Sequence, residues 1–385
     1  MLDRPDETRN KGQRALLVEL DLGQGQVDER LAELTALTAS AGAKVIGHVT
    51  GRRQRPDPAT FAGKGKVEEI GERTREGEAD LVIFDHQLSG AQQRNLEKAL
   101  SCRVIDRTSL ILDIFALRAR SNEGKLQAEL AQLRHLATRL VGGWTHLERQ
   151  KGGIGLRGPG EKQLETDRRL ITQRVKTVAA RLASVSSSRA TQSRTRQRAQ
   201  VRTVALVGYT NAGKSTLFNQ LTGAKVHAAN QLFATLDTTL RRLHVPGADS
   251  IVLSDTVGFI RDLPHDLVAA FRATLAEAAQ ADLLLHVIDA SAPDRDDQVA
   301  AVEAVLAEIG ASDVQQIRIL NKSDLTGLPV GVERDPCGTI TAVRVSALTG
   351  AGVAEIKAAL AERFALANAA TPTHPSPGPV GSHRP

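Results

Sequence analysis

Aromatic surface is scarce in this chain: one Trp, one Tyr and eight Phe make up 3% of 385 residues. That scarcity argues against a protein that reads unstacked bases on an aromatic sheet. Cysteine is nearly absent too. Cys102 and Cys337 lie far apart with no partner motif, which excludes a disulfide framework, a zinc site and a paired redox dithiol. No apolar run reaches membrane-span length, and a segment such as Leu283-Leu-Leu-His-Val-Ile288 is only strand-sized. The first ten residues carry neither a long apolar stretch nor a cleavage pattern, so a cytoplasmic location is expected. Acidic residues are missing from one long stretch. Between Arg168 and Arg202 there is no Asp or Glu, while Arg168, Arg169, Arg174, Lys176, Arg181, Arg189, Arg194, Arg196, Arg198 and Arg202 are cationic. A segment of that kind favours polyanionic partners, and with so few aromatics the expectation is backbone and shape recognition of folded RNA.

What is present is a soluble globular composition, 41% apolar and 24% charged, with a net charge of +6. The length allows two or three domains. Its most specific motif is Gly208-Tyr209-Thr210-Asn211-Ala212-Gly213-Lys214-Ser215, which fits G-x-x-x-x-G-K-[ST]. The apolar strand Val204-Ala-Leu-Val207 enters it and a helical pattern from Thr216 to Leu221 leaves it. In that setting backbone N–H groups and the helix N-terminus surround phosphates, Lys214 reaches the outer two, and the Ser215 hydroxyl takes one position on Mg²⁺.

Three more motifs follow in order. Asp255-Thr256-Val257-Gly258 ends a strand, so its carboxylate can hold Mg²⁺ through water while the Gly258 backbone approaches the γ-phosphate. Asn321-Lys322-Ser323-Asp324 follows another strand, and its aspartate can accept the N1–H and 2-amino donors of guanine, a pair that adenine lacks. Ser346-Ala347-Leu348 supplies a backbone N–H for the guanine carbonyl. Between loop and carboxylate, Phe233-Ala234-Thr235-Leu236-Asp237 is the candidate switch, with Thr235 as metal ligand; Thr238 and Thr239 are not separated from it by spacing alone. Together the motifs predict a GTP hydrolase with Mg²⁺ as cofactor and GTP as substrate, with ATP left open as a second substrate.

The remaining chain predicts an α/β protein in pieces: a disordered start over 1–14, a small α/β domain with a parallel sheet over 15–115, an antiparallel helical hairpin over 116–183, a basic linker over 184–200, a P-loop GTPase domain with a mainly parallel sheet over 201–365, and a proline-rich disordered tail over 366–385. The hairpin is read from apolar stripes at Leu126, Leu130, Leu133, Ala137 and Leu140, and at Leu164, Ile171, Val175, Val178 and Leu182. A glycine-dense tip, Lys151-Gly-Gly-Ile-Gly-Leu-Arg157-Gly-Pro-Gly160, joins them. It suits either a loose connector or a loop pushed into an RNA cleft. Gly63-Lys-Gly-Lys66 lacks the full phosphate-loop pattern and reads as a helix start, open to RNA contact, and not as a second nucleotide site.

These stretches resemble the HflX family of ribosome-associated GTPases. The resemblance rests on Gly63 to Lys66, Asp85-His-Gln-Leu-Ser89 with Asn95-Leu-Glu97, Asp106-Arg-Thr108, Gly152 to Glu161 with Glu165-Thr-Asp-Arg-Arg169, Gly208 to Ser215, Phe233 to Asp237 and Asp255 to Phe259. It implies a GTPase that binds the large ribosomal subunit, separates stalled ribosomes, and sets the hairpin near the peptidyl-transferase region. From the basic residues themselves, RNA contacts are expected through Lys151, Arg157, Arg168, Arg169 and Arg174, and the chain is expected to be a monomer. The resemblance also implies that Ser215 and Thr235 hold Mg²⁺. Assembly of large-subunit precursors, and an RNA scaffold with a structural nucleotide, stand as alternatives. The chain departs from the family at Thr238, where proline is usual, and a short tail replaces the C-terminal domain of some members. Phe259 stands where many GTPases carry a water-orienting Gln, so the catalytic group beyond supporting Lys214 and Thr235 is unassigned, and weak intrinsic hydrolysis follows.

Overall fold

Continuous apolar runs such as Ala15-Leu-Leu-Val18 and Leu81-Val-Ile-Phe84 suit strands covered on both faces, and short helical patterns between them supply the covers. The computed structural model describes residues 12–23, 25–142, 159–198, 201–224, 231–246, 251–263, 267 and 271–369. Its N-terminal part alternates β1 (Arg14–Asp21), α1 (Val27–Ser40), β2 (Lys44–Arg52), α2 (Lys64–Glu76), β3 (Leu81–Phe84), α3 (Gly90–Leu100), β4 (Arg103–Asp106) and α4 (Arg107–Arg118). The four strands pair in parallel in the order β2-β1-β3-β4. Asp106 ends β4 and caps α4, its carboxylate accepting from the Ser109 N–H at 2.9 Å. Helix α4, not anticipated from sequence, begins in the polar Arg-Thr-Ser and becomes apolar only at Leu110.

Two long helices follow, α5 (Asn122–Gly142) and α6 (Pro159–Arg198). Leu126, Leu130 and Val178 form their shared core, flanked by Leu133, Val175 and Leu182, so the two stripes pack on each other as predicted. Residues 184–198, expected as a linker, instead continue α6 as helix. After Gly160 the segment holds no Gly or Pro, and its Arg, Gln and Ala are good helix formers. Lys151 and Arg157 lie outside the described residues.

The C-terminal part comprises β5 (Arg202–Val207), α7 (Lys214–Thr222), β6 (Thr239–Leu243), β7 (Ile251–Asp255), α8 (Arg272–Ala279), β8 (Leu283–Asp289), α9 (Arg295–Glu308), β9 (Gln316–Asn321), the short α10 (Ser323–Thr326), β10 (Gly331–Arg334), β11 (Ile340–Arg344) and α11 (Val353–Ala369). The sheet order is β10-β11-β9-β8-β5-β7-β6, parallel except where β6 and β10 meet their neighbours. One apolar core runs through both parts. It joins Leu34 and Leu37 of α1 and Leu110, Ile114 and Phe115 of α4 to Leu232, Phe233, Val257, Phe259 and Leu284.

A charge cluster lies beside that shared core. Arg30 pairs with Glu19 at 3.2 Å and Asp85 at 2.9 Å, and Arg107 pairs with Asp85 at 2.6 Å and with Glu33. Burial, then the charge of Asp85, pushes the Glu19 carboxyl up to about 8. Burial alone would raise Asp85 as well, but Arg107 and Arg30 hold it below the usual carboxylate range. Because Glu19 titrates higher folded than unfolded, its contribution to stability is full below about 4.5 and is lost as pH rises to about 8. Glu19→Gln should therefore lose less stability than the parent between pH 5 and 8.5, as read by urea denaturation at both ends of that window; equal losses would show that Glu19 is ionised throughout.

Candidate nucleotide site

The site is built at the carboxyl ends of β5, β7 and β9, where loops of a parallel sheet gather. Gly213, at φ 96°, turns the chain into α7, and a Cβ there would sit 2.2 Å from Asn321 Nδ2, so only glycine fits. Lys214 is buried and its ammonium donates to the carbonyls of Gly208 at 2.9 Å and Tyr209 at 2.7 Å. Loss of water brings its pKa down to about 8, against the opposing pull of Asp255. Gly258 packs on this ammonium: a Cβ on it would lie 3.0 Å from Lys214 Nζ.

Three oxygen-bearing side chains converge beside the loop. The hydroxyls of Ser215 and Thr235 are 2.7 Å apart, and Asp255 Oδ2 accepts from Ser215 at 2.8 Å and from Thr235 at 3.1 Å. Burial raises the Asp255 carboxyl, and its Oδ1 is buried with no partner among the described residues. Clustered hydroxyls with an orphaned carboxylate oxygen are the donor chemistry a hard cation takes, and neighbouring ligands on an octahedron of about 2.1 Å bonds sit about 3 Å apart. Of the rival threonines, Thr238 has a buried hydroxyl with no partner among the described residues and Thr239 begins β6. Neither joins the trio.

Asn321 ties the base-side loops to the phosphate loop. Its amide donates to the Ala212 carbonyl at 2.8 Å and its Oδ1 accepts from the Ala347 N–H at 2.8 Å. That places Ser346, Ala347 and Leu348 next to Gly208–Ser215 despite their separation in sequence. Lys322 pairs with Asp289 at 2.6 Å, Ser323 is buried and Asp324 is exposed on the first turn of α10. Leu348 is 76% exposed, an apolar side chain open to solvent beside this loop.

Both switch segments are held by the N-terminal part. Phe259 is fully buried and pairs through its backbone with the phosphate loop, its carbonyl accepting from Thr210 N–H at 2.7 Å. Arg261 does not point at the loop. Its side chain pairs with Asp294 and donates to Gln26 Oε1 at 3.0 Å, its N–H donates to the Tyr209 hydroxyl at 2.9 Å, and its carbonyl accepts from Arg107 at 3.3 Å. Tyr209 in turn donates to Glu33. Phe233 meets Phe115 edge-on at 4.6 Å between centroids, while Ala234 and Leu236 complete the segment and Asp237 reaches the start of α5. The roles of Glu33, Arg107 and Tyr209 at this junction were not visible in sequence, since no spacing rule links α1 and α4 to a loop so far along the chain. His265, four residues beyond Arg261 and with it near enough to Phe259 in sequence to be weighed as a group assisting hydrolysis, lies outside the described residues. An open cleft of about 500 Å³ lies elsewhere, lined by Arg52, Arg53, Arg55 and Lys66 beside the start of α2.

Fold and site together define a P-loop GTPase. Family descriptions match in succession along the chain: a GTP-binding GTPase N-terminal region over 28–116, a GTP-binding GTPase middle region over 118–196 and a 50S ribosome-binding GTPase over 203–322. GTPase HflX of Escherichia coli (strain K12) is 55% identical over 365 residues, 94% of this chain and 85% of that protein. GTPase HflX of Caldanaerobacter subterraneus subsp. tengcongensis is 49% identical over 334 residues, 86% of this chain and 78% of that protein. The crystal structure of SsGBP with GDP has the same fold, with a TM-score of 0.50 and 24% identity over 93% of this chain and 99% of the other. The chain belongs to the HflX family of GTPases, and it hydrolyses GTP. Among the described residues, no helix is long and apolar enough to cross a membrane.

Two measurements probe the site. Because Lys214 titrates near 8 without ligand and phosphate restores its charge, GDP binding at pH 9 should take up about one proton, and none from this group at pH 7. Calorimetry in buffers of unlike ionisation enthalpy reads this directly; uptake absent at pH 9 would contradict the buried environment. Asn321→Ala leaves the Ala212 carbonyl and Ala347 N–H without their partner, so GDP affinity should fall by about 100-fold in fluorescence titration.

Proposed function

We propose that this GTPase binds the large ribosomal subunit and uses its nucleotide state to part stalled or idle ribosomes into subunits. The observation that carries this is the acid-free cationic length of α6, where Arg168 and Arg169 are exposed on the hairpin helix rising from the Gly-rich segment. Arg174 is also exposed but pairs with Glu129 at 2.6 Å, so it contributes less free charge. The basic cleft beside Gly63 to Lys66 offers a second phosphate-facing surface of the same sign. The match to a description worded as 50S ribosome-binding supports the large subunit as the partner. Lys151 and Arg157 complete the proposed RNA contacts.

At the nucleotide, Ser215 and Thr235 would hold Mg²⁺ directly and Asp255 would hold it through water; the ion would neutralise charge developing on the phosphates. Lys214 would leave its two carbonyl partners for the outer phosphates, and the Gly258 N–H would meet the γ-phosphate. Asp324 would select guanine, with Asn321 fixing the loop, Lys322 and Ser323 framing it, and a backbone N–H of Ser346–Leu348 meeting the guanine carbonyl. Gly208 to Gly213 would wrap the phosphates. Phe259 is packed into the core and cannot orient water, so intrinsic turnover should be on the order of 10⁻⁴ s⁻¹.

Turnover measured with and without purified large subunits tests the catalytic half of this reading: stimulation of at least about 100-fold is expected, and equal rates would defeat it. Light scattering of whole ribosomes mixed with the protein tests the other half. A fall in scattering with GTP or a non-hydrolysable analogue, and none with GDP, is expected. Sedimentation with large-subunit precursors and no loss of whole ribosomes would point instead to an assembly role.

A further inference from the structure

Helix α5, the first arm of the hairpin, has its N-cap residue held from outside the helix. Ser121 caps it in the ordinary way, its hydroxyl oxygen accepting from the Gly124 N–H at 2.9 Å. The N–H groups of Arg120 and Ser121 instead donate to Asp237 Oδ2, at 2.9 and 2.8 Å, and the Ser121 hydroxyl donates to Asp237 Oδ1. Asp237 lies two residues beyond Thr235, whose hydroxyl touches Ser215 and Asp255. One short stretch of chain therefore links the hydroxyl at the metal-type cluster to the start of the hairpin.

Gly124 gives a second, independent sign that this contact is built in. It sits within the first turn of α5, where alanine would favour the helix by about 1 kcal/mol. A Cβ at that position would lie 2.2 Å from Asp237 Oδ1 and 3.2 Å from Asp237 Cγ. Glycine here keeps room for the carboxylate. The same segment is anchored ahead of Asp237, by Arg118 donating to Gln231, by Leu232 N–H donating to Ser40 Oγ at 3.0 Å, and by Phe233 against Phe115.

We infer that Asp237 is a nucleotide-dependent cap of the hairpin: GTP fixes Thr235 and with it the carboxylate on α5, and hydrolysis withdraws the cap, loosening the first turn of the helix that carries the RNA-facing tip. The inference rests on the reading of Thr235 as the nucleotide-sensing residue. Switch segments ordered by the third phosphate and released after hydrolysis are a general device, and loss of a helix cap frees the first turn while leaving the rest of the helix intact.

Hydrogen exchange read by mass spectrometry on the full chain tests it, comparing the GTP-analogue and GDP complexes. Peptides covering 231–237 report the switch, and those covering 120–126 report the start of α5. In the parent, both should exchange about fivefold more slowly with the analogue than with GDP. In Gly124→Ala, which lies outside the nucleotide loops, 231–237 should still respond while the difference at 120–126 disappears, even though alanine favours helix. Ser121→Ala, which removes only a hydroxyl, should shrink the same difference. A parent that responds at 231–237 but not at 120–126 overturns the cap, as does Gly124→Ala with an unchanged difference at 120–126. No response at 231–237 would overturn the reading of Thr235 itself, and the cap with it.

Discussion

Burial of the switch segments between two layers is the constraint on which the rest of the molecule depends. Leu232, Phe233 and Leu236 on one side of the phosphate loop, and Val257, Phe259 and Ile260 on the other, are all core residues, none more than 8% exposed. Neither the GTPase sheet nor the N-terminal helices could bury them alone. The sheet supplies Ala205, Val207 and Leu284 from below, and α1, α4 and α5 supply Leu34, Leu37, Ile114, Phe115 and Ala128 from above. An apolar segment held in this way cannot shift at the nucleotide without disturbing its packing on the N-terminal part, because close-packed interiors transmit small displacements.

The polar contacts at the same junction give the packing one orientation. Arg107 reaches Asp85, Glu33 and the Arg261 carbonyl, and Tyr209 joins Glu33 to the Arg261 N–H. Charges taken out of water in this manner add little net stability, but removing one partner strands the others. Their effect is geometric. The peptide of Arg261, three residues beyond Gly258, is held at both its N–H and its carbonyl by groups outside the second switch, while the aromatic contacts of Phe115 with Phe233 and Phe271 hold the neighbouring segment. The nucleotide loop and the N-terminal helices therefore meet through a shared core and a polar clamp, and the basic stretch once expected to serve as a flexible link is helix through Arg198.

Much of this was legible in residue order. The phosphate loop, the Asp255 turn and the Asn321 turn each follow an apolar strand, so local pattern alone located them, and the alternating stripes from Leu126 and from Ile171 located the hairpin. Helix α4 was missed because it starts in Arg-Thr-Ser and its apolar residues, Leu110 to Phe115, run on without a one-sided period. The stretch from Ser184 was misread because the absence of apolar residues signals lack of burial, and a helix can continue without burial when its residues favour helix and a packed arm precedes it.

The sequence by itself determined where the phosphate-loop, Asp255 and Asn321 motifs stand in the chain, and that a long acid-free cationic stretch precedes them, because those are properties of short segments whose chemistry depends on neighbours a few positions away. Only the tertiary structure decided which of three threonines joins Ser215 and Asp255, why Gly124 is glycine, and how Glu33 and Arg107 come to grip a loop more than a hundred residues downstream. Such contacts depend on which helix covers which edge of a sheet, and that arrangement is set by the burial of the whole chain, with no trace in the spacing of any one segment.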